Sequence, residues 1–494
     1  MNLTSRPSSD RDTLEAVFLR ACERRPADVA ALDDAGALTY AQLRAAALGL
    51  AASLPQKTER ANVGVLFPSC KEFGIAYFGA LLAGKTPTLL NLLMQPEQLG
   101  WIARHAELDL AITSRKLAPL IEPIGVNVLC LEDTAPADTG EPRSPAFSSP
   151  NDLATLIYTS GTEADPKGVM LSHRNLLSNA SACRERLRIQ PEDVVLIPLP
   201  LFHTFALTTG LLLPLLSGAR TVYMPRFSPG AMLKRLAEHR VTCVMAVPSM
   251  FRLLTLAGKK APCDLSSLRV CVAGGEPLHP DVRLAFEEAF SQPLLEGYGL
   301  TETSPVISAN TPDANRPGTA GRVFPGVEVR ILDDAGSTLA NGLEGQVFVR
   351  GENIMLGYYK LPEKTAEVLS PDGWFRTGDM GMLLDGGYLK ITGRRKEMII
   401  CSGENVWPGE IENVLIQHPA VSEAAVVGVP DNLRGETPKA FVALQPGAKC
   451  AVEELLGHCR QKLPRFKSPR EIEIRDELPH GPTGKVLRRA LHRL

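Results

Sequence analysis

The chemistry in this sequence gathers in short runs. Residues 153–177 read LATLIYTSGTEADPKGVMLSHRNLL, an apolar strand, then a loop of hydroxyls and glycine, then a helix starting near His173. Thr159, Ser160 and Thr162 offer hydroxyl donors, Gly161 lets backbone N–H groups approach a ligand, and Lys167 adds a cation. These ingredients suit a polyphosphate. The order is not that of a Walker loop, which needs G-K-[ST] where this chain has P-K-G. Further along, VAGGEPL (272–278) reads as a strand ending in a glycine turn, and LLEGYGLTETSPV (294–306) carries Glu302, a carboxylate of the kind that hard divalent cations take. Near the end, LPHGPTGKVLRRAL (478–491) holds Lys485 beside a turn.

In these runs and their order, from about residue 14 to 489, the chain resembles the adenylate-forming superfamily of acyl-CoA synthetases, peptide-synthetase adenylation domains and luciferases. The first run is similar to that family's phosphate signature, [ST]-S-G-[ST]-T-G-x-P-K-G, and departs from it at Glu163 and Ala164. If the replaced glycine takes positive φ, Ala164 is strained by on the order of 1 kcal/mol. The resemblance implies that the turn of Gly275, Glu276 and Pro277 covers adenine and that Tyr298, followed by Gly299, stacks on it. It further implies that Thr301 touches the α-phosphate region and that Glu302 binds magnesium. In WFRTGDMG (374–381) Asp379 would accept hydrogen bonds from the ribose. In YLKITGRRKEMIICSGENVWPGEIE (388–412) Arg394 would contact ribose or phosphate and Lys396 would be the hinge. Lys485 would be the adenylation cation, and rotation about Lys396 would present a face carrying Gly403 for attack by a thiol. The implied cofactors are ATP, Mg2+ and CoA, or the phosphopantetheine of an acyl carrier protein.

The acid is indicated by PLPLFHTFALTTGLLLPLLSGA (198–219), which supplies the family's aromatic gate position as His203 and then a strongly apolar helix. Amino-acid-activating relatives place an aspartate nearby, and HTFAL has none. Thr208, Thr209 and Gly210 would leave room beside the leucines for an alkyl chain, each buried methylene contributing about 0.8 kcal/mol. The reading is therefore ATP-dependent activation of a medium- to long-chain fatty acid as acyl-AMP and its transfer to a thiol. The alternatives are an acyl-AMP ligase or β-lactone-forming enzyme that works without CoA, and a nucleotide-binding protein impaired by Glu163 and Ala164. The basic stretch RQKLPRFKSPR (460–470) suits either CoA or an acidic carrier protein.

The elements that position these runs follow from periodicity. Up to about residue 256, helical patterns (14–22, 40–54) alternate with strand-like ones (62–67, 241–247), which predicts α/β structure with parallel-rich sheets covered by helices. Short strands between Gly- and Asp-rich turns predict a small β-rich subdomain over about 320–393. Residues 394–494 alternate helix and strand again and predict a small, mobile α+β lid after an N-terminal domain of residues 1–393. The length, 494 residues, fits such a division. A formal net charge of −2 argues against nucleic acid as a partner. Ten scattered cysteines with no C-x-x-C pair, a start without an apolar signal segment, and an apolar run at 206–216 too short to span a bilayer all point to a cytoplasmic protein. The oligomeric state stays open, a homodimer included.

Overall fold

The computed structural model describes residues 12–136, 149–159, 166–402, 404–431, 434–480 and 486–491. Its contacts divide the chain into two compact units, Met1–Glu328 with Val349–Phe375, and Val329–Phe348 with Arg376–Leu494.

In the first unit one sheet is built on parallel strands Leu153–Thr159, Thr86–Leu89, Asn62–Val65, Leu110–Thr113 and Asn127–Cys130, in that spatial order. The helix expected from near His173 is present, and between the hydroxyl-rich loop and that helix the chain adds an unexpected strand, Lys167–Ser172, antiparallel to Leu153–Thr159 with Thr159 opposite Lys167. Its apolar run of Val169, Met170 and Leu171 fits a half-buried strand. Ser172 then ends the strand and starts helix His173–Leu187, its hydroxyl accepting from Asn175 N while the Asn175 side chain accepts from Ser172 N. This reciprocal cap fixes where strand becomes helix. The two-residue strand Gly357–Tyr358 adds to the edge, Tyr358 opposite Val169.

The second sheet of this unit runs parallel through Val29–Asp33, Arg220–Tyr223, Val194–Ile197, Cys243–Ala246, Val270–Ala273 and Leu294–Gly299. Strands VVLI, CVMA and VCVA are buried at every position, as parallel strands covered on both faces must be. Their side chains meet helices Pro248–Lys260 and Pro280–Phe290, where the Phe251 and Phe286 rings cross edge to face at 5.2 Å. Beyond Leu294–Gly299 the sheet turns antiparallel through Val306–Ala309 and Arg322–Val323.

The apolar run at 206–216 is a buried helical stretch, but not a regular one. Thr204–Ala206 leads into a π-helical segment, Leu207–Leu212, before Leu213–Ser217 resumes the α-helix. Among the described residues no helix is long and apolar enough to cross a membrane.

The second unit contains hairpin Phe375–Leu384 with Tyr388–Arg394, and a sheet in which Gly435–Leu444 pairs with Ile399–Cys401, Val421–Asp431 and Glu471–Arg475. Helices Pro408–Ile416 and Val452–Lys462 bury Ile411, Leu415 and Leu455 against Val426 and Val442. The chain is therefore α/β, with the parallel-rich sheets, short β-hairpins and terminal α+β fold expected from its patterning.

Candidate active site

Strand Leu294–Gly299 delivers Tyr298 and Gly299 to a turn in which Thr301, Glu302 and Thr303 form one 3-10 turn. Gly299 has to be glycine here, because a Cβ would lie 2.0 Å from the Pro305 carbonyl oxygen. The backbone of this turn is held from three directions. Asn179, on helix His173–Leu187, donates to Val306 O at 2.7 Å and accepts from Val306 N at 3.1 Å. Thr208, on the π-helical segment, donates to Ser304 O at 2.8 Å. Asn353 donates to Thr303 O at 2.9 Å, and Met355 N donates to Glu302 O at 2.9 Å. Buried bonds of this kind fix the carboxylate before any ligand arrives.

The Glu302 side chain then meets Tyr358, whose hydroxyl donates to Oε1 at 2.9 Å. On the same ring, Lys167 Nζ stands 5.3 Å from the centroid, within cation–π range. The strand that begins at Lys167 and the turn that carries Glu302 are thus joined through one aromatic residue. Sequence reasoning missed Tyr358. It lies 56 positions from its partner, in a strand of only two residues, and no local spacing marks it. Thr159 ends strand Leu153–Thr159, whereas Ser160, Gly161 and Thr162, with Glu163 and Ala164, lie outside the described residues.

Beside this centre, strand Val270–Ala273 opens into Gly274 and Gly275, the latter at φ +81°, a value that favours glycine. Glu276 and Pro277 follow in the same turn, Glu276 half-buried and Pro277 exposed. Leu278 N closes the turn by donating to Glu296 Oε1 at 3.3 Å, and burial pushes that carboxyl up to about 7. Phe205 packs where a Cβ on Gly274 would be, 3.2 Å away, so this turn borders the start of the apolar helical stretch. His203 immediately precedes that stretch, its ring 4.7 Å from Phe202.

The room expected beside Gly210 is filled. A Cβ there would lie 2.6 Å from Ile197, and Tyr223 and Thr221 both donate to Gly210 O, at 3.0 and 3.2 Å. Thr209 turns its hydroxyl onto Phe205 O at 2.7 Å. The π-helical segment thus leaves Gly210 O to side-chain donors while Gly210 itself packs against Ile197.

In the second unit Asp379 and Arg394 face each other across the hairpin, paired in register, with Arg394 Nε 2.9 Å from Asp379 Oδ1. Asp379 is 3% exposed, and its backbone N–H donates to Thr377 Oγ1 at 3.0 Å. The guanidinium is half exposed. Lys396 is exposed in the turn Arg395–Glu397 that follows. Its neighbour Glu397 accepts from Arg488 Nη1 at 2.7 Å, and Arg488 also grips both oxygens of Glu412. Gly403 and Lys485 lie outside the described residues.

Residues 18–359 match the family model of the AMP-binding enzyme, and residues 410–485 match that of the AMP-binding enzyme C-terminal domain. The chain belongs to the AMP-binding enzyme family. Among relatives of this AMP-binding protein, a long-chain-fatty-acid–CoA ligase of Bacillus subtilis (strain 168) is 34% identical over 97% of this chain and 94% of its own. A sulfoacetate–CoA ligase of Cupriavidus necator is 35% identical over 92% of both chains. A solved o-succinylbenzoate coenzyme A synthetase from Bacillus subtilis, in complex with ATP and magnesium ion, superposes with a TM-score of 0.88 at 28% identity, over 96% of this chain and 99% of that one. These relatives share CoA ligation by name and differ in the acid, which ranges from a long alkyl chain to a small sulfonate.

Proposed function

We propose that this protein couples ATP cleavage to formation of a CoA thioester, through an acyl-AMP intermediate, and that its preferred acid is a medium- to long-chain fatty acid. The observation that carries the reading is the Glu302–Tyr358–Lys167 arrangement, an acid and a cation held about one aromatic ring in a backbone turn fixed on three sides. A site for a triphosphate needs both signs of charge in fixed positions.

In the first half-reaction a carboxylate oxygen of the acid forms a bond to the α-phosphorus of ATP, and the bond from that phosphorus to the bridging oxygen breaks, releasing pyrophosphate. Lys167 and the hydroxyl of Thr159, with Ser160, Gly161 and Thr162, bind the phosphates. Tyr298 and the turn of Gly275, Glu276 and Pro277 hold the adenine, and Asp379 accepts the ribose hydroxyls with Arg394 beside it. Glu302 offers the fixed oxygen donor that Mg2+ prefers, and the ion would neutralise charge on the phosphate oxygens. Thr301 adds a hydroxyl near the α-phosphate, and Lys485 stabilises charge as the new bond forms. In the second half-reaction the CoA sulfur, losing its proton, attacks the acyl carbonyl and AMP leaves. Rotation of the residues after Lys396 would bring Gly403 to the thiol side for this step.

The fatty-acid preference is supported by the absence of an aspartate in HTFAL to hold an ammonium and by 34% identity to a long-chain ligase. Its test is a thioester assay with ATP, CoA and acids from acetate to palmitate, with sulfoacetate and aryl acids alongside. Highest kcat/KM on an alkyl acid of eight carbons or more is expected. Turnover confined to sulfoacetate or aryl acids would refute the preference while leaving the ligase reading intact. No acyl-AMP with any acid would refute both.

A further inference from the structure

Away from the nucleotide residues, three side chains with metal-binding atoms converge in the second unit. His418 sits in the turn between helix Pro408–Ile416 and strand Val421–Asp431. Cys450 precedes the N-cap of helix Val452–Lys462, and Glu454 lies in its first turn. One ligand atom from each, a His418 ring nitrogen, Cys450 Sγ and a Glu454 carboxylate oxygen, lie within 4.8 Å of one another, and His418 Nε2 is 3.3 Å from Glu454 Oε1. The His418 ring is almost wholly buried and is held in its plane by His458, which meets it edge to face at 5.2 Å while bonding Val414 O at 2.9 Å. The Glu454 side chain is 60% exposed and gives a cation a way in from solvent.

We propose that His418, Cys450 and Glu454 form a binding site for a thiophilic divalent cation of the zinc type, distinct from the magnesium site at Glu302. The donor set decides the class. One imidazole nitrogen, one thiolate and one carboxylate suit zinc or cobalt, whereas magnesium and calcium take oxygen and avoid sulfur. Ligands at about 2.0 to 2.3 Å from a common ion stand roughly 3 to 4 Å apart, so small side-chain rotations close the triangle, and three protein donors leave a fourth position for water.

The protons balance. His418 Nδ1 accepts from Ala420 N at 3.3 Å, so the ring proton sits on Nε2, facing Glu454. A metal bound at Nε2 sends that proton to Nδ1, giving up the long Ala420 contact. The Cys450 thiol loses its proton to solvent, one proton released per ion. Such an ion ties the turn after one helix to the first turn of the other and so fastens both helices over the sheet.

The full-length protein, stripped with a chelator, is to be titrated with Co2+ alone. Expected are a near-ultraviolet thiolate-to-cobalt absorption saturating at one ion per chain, its displacement by Zn2+, its loss in Cys450→Ser, and at least tenfold weaker binding in His418→Gln and Glu454→Gln. Cys263→Ser, which alters an exposed cysteine of the other unit, is expected to leave the band unchanged. An absent band, an equal band in Cys450→Ser, or metal lost entirely on gel filtration, meaning an adventitious ion only, would overturn the proposal. Cys450→Ser is close to isosteric, and its thermal melt in the chelated state shows whether the fold survives independently of metal.

Discussion

The Tyr358 hydroxyl donates to Glu302 Oε1 at 2.9 Å while the Lys167 ammonium rests 5.3 Å from the centre of the same ring. One ring therefore orients the acid and seats the cation. Tyr358→Phe keeps the ring and removes only the donor. Hydrogen bonds to charged groups contribute about 1.5 to 3 kcal/mol, so adenylation should fall roughly 10- to 100-fold, with a higher magnesium concentration needed for half-maximal rate. Acid-dependent exchange of labelled pyrophosphate into ATP, titrated with Mg2+, measures this. An unchanged magnesium midpoint would mean that the hydroxyl does not orient the acid.

That relationship also marks the limit of what the sequence discloses. Glu302 is legible because its neighbours, Y-G-x-T-E, sit beside it in the chain. Tyr358, Asn179 and Asn353, which hold it, come from 56, 123 and 51 residues away and show no pattern of their own. Helix ends such as Ser172 with Asn175 are local and could be read, whereas strand Lys167–Ser172 could not, because its apolar run of Val169, Met170 and Leu171 is too short to mark a strand. Gly210 shows the opposite error. Small residues in an apolar helix suggest space, yet tertiary packing against Ile197 fills it, and only the fold decides which.

Asp379 is nearly buried, with Arg394 at 2.9 Å supplying its partner charge. If Asp379 holds the ribose as proposed, Asp379→Ala should raise the KM for ATP by at least about tenfold with little change in the KM for the acid. Arg394→Ala should lower thermal stability by removing a charge partner of a buried carboxylate. Equal rises in both KM values for Asp379→Ala would assign it to general stability.

Lys485→Ala is expected to slow adenylation by at least about 100-fold, the scale of removing one transition-state donor, while sparing thioester formation from supplied acyl-AMP. Single-turnover assays of the two halves measure this. Equal losses in both would contradict a lid that uses different faces for each step.

Glycine positions give a stability test independent of catalysis. Gly393→Ala would drive a Cβ to 2.5 Å from the buried Trp407 ring, and overpacking of this kind costs about 1 to 3 kcal/mol. Gly230→Ala, which meets nothing within 4 Å, is the control and should not destabilise. Urea unfolding of both variants decides the matter, and an equally stable Gly393→Ala would place the Trp407 ring elsewhere.

Glu296 sets a pH dependence whose sign can be worked out. Burial raises its carboxyl from 4.5 to about 7, partly countered by the bond from Leu278 N, so the folded chain keeps a proton that the unfolded chain releases. The neutral acid's contribution to stability is full below pH 4.5, is lost as pH rises toward 7, and is gone above that. Glu296→Gln retains an acceptor for Leu278 N and cannot ionise. The variant should match the parent at low pH and exceed it above pH 7, by on the order of 3 kcal/mol at most. The same substitution should flatten any weakening of ATP binding over that interval, because Leu278 closes the turn of Gly275, Glu276 and Pro277. Urea melts from pH 5 to 8 on both proteins measure the difference, and parallel curves across that range would show that Glu296 is ionised throughout.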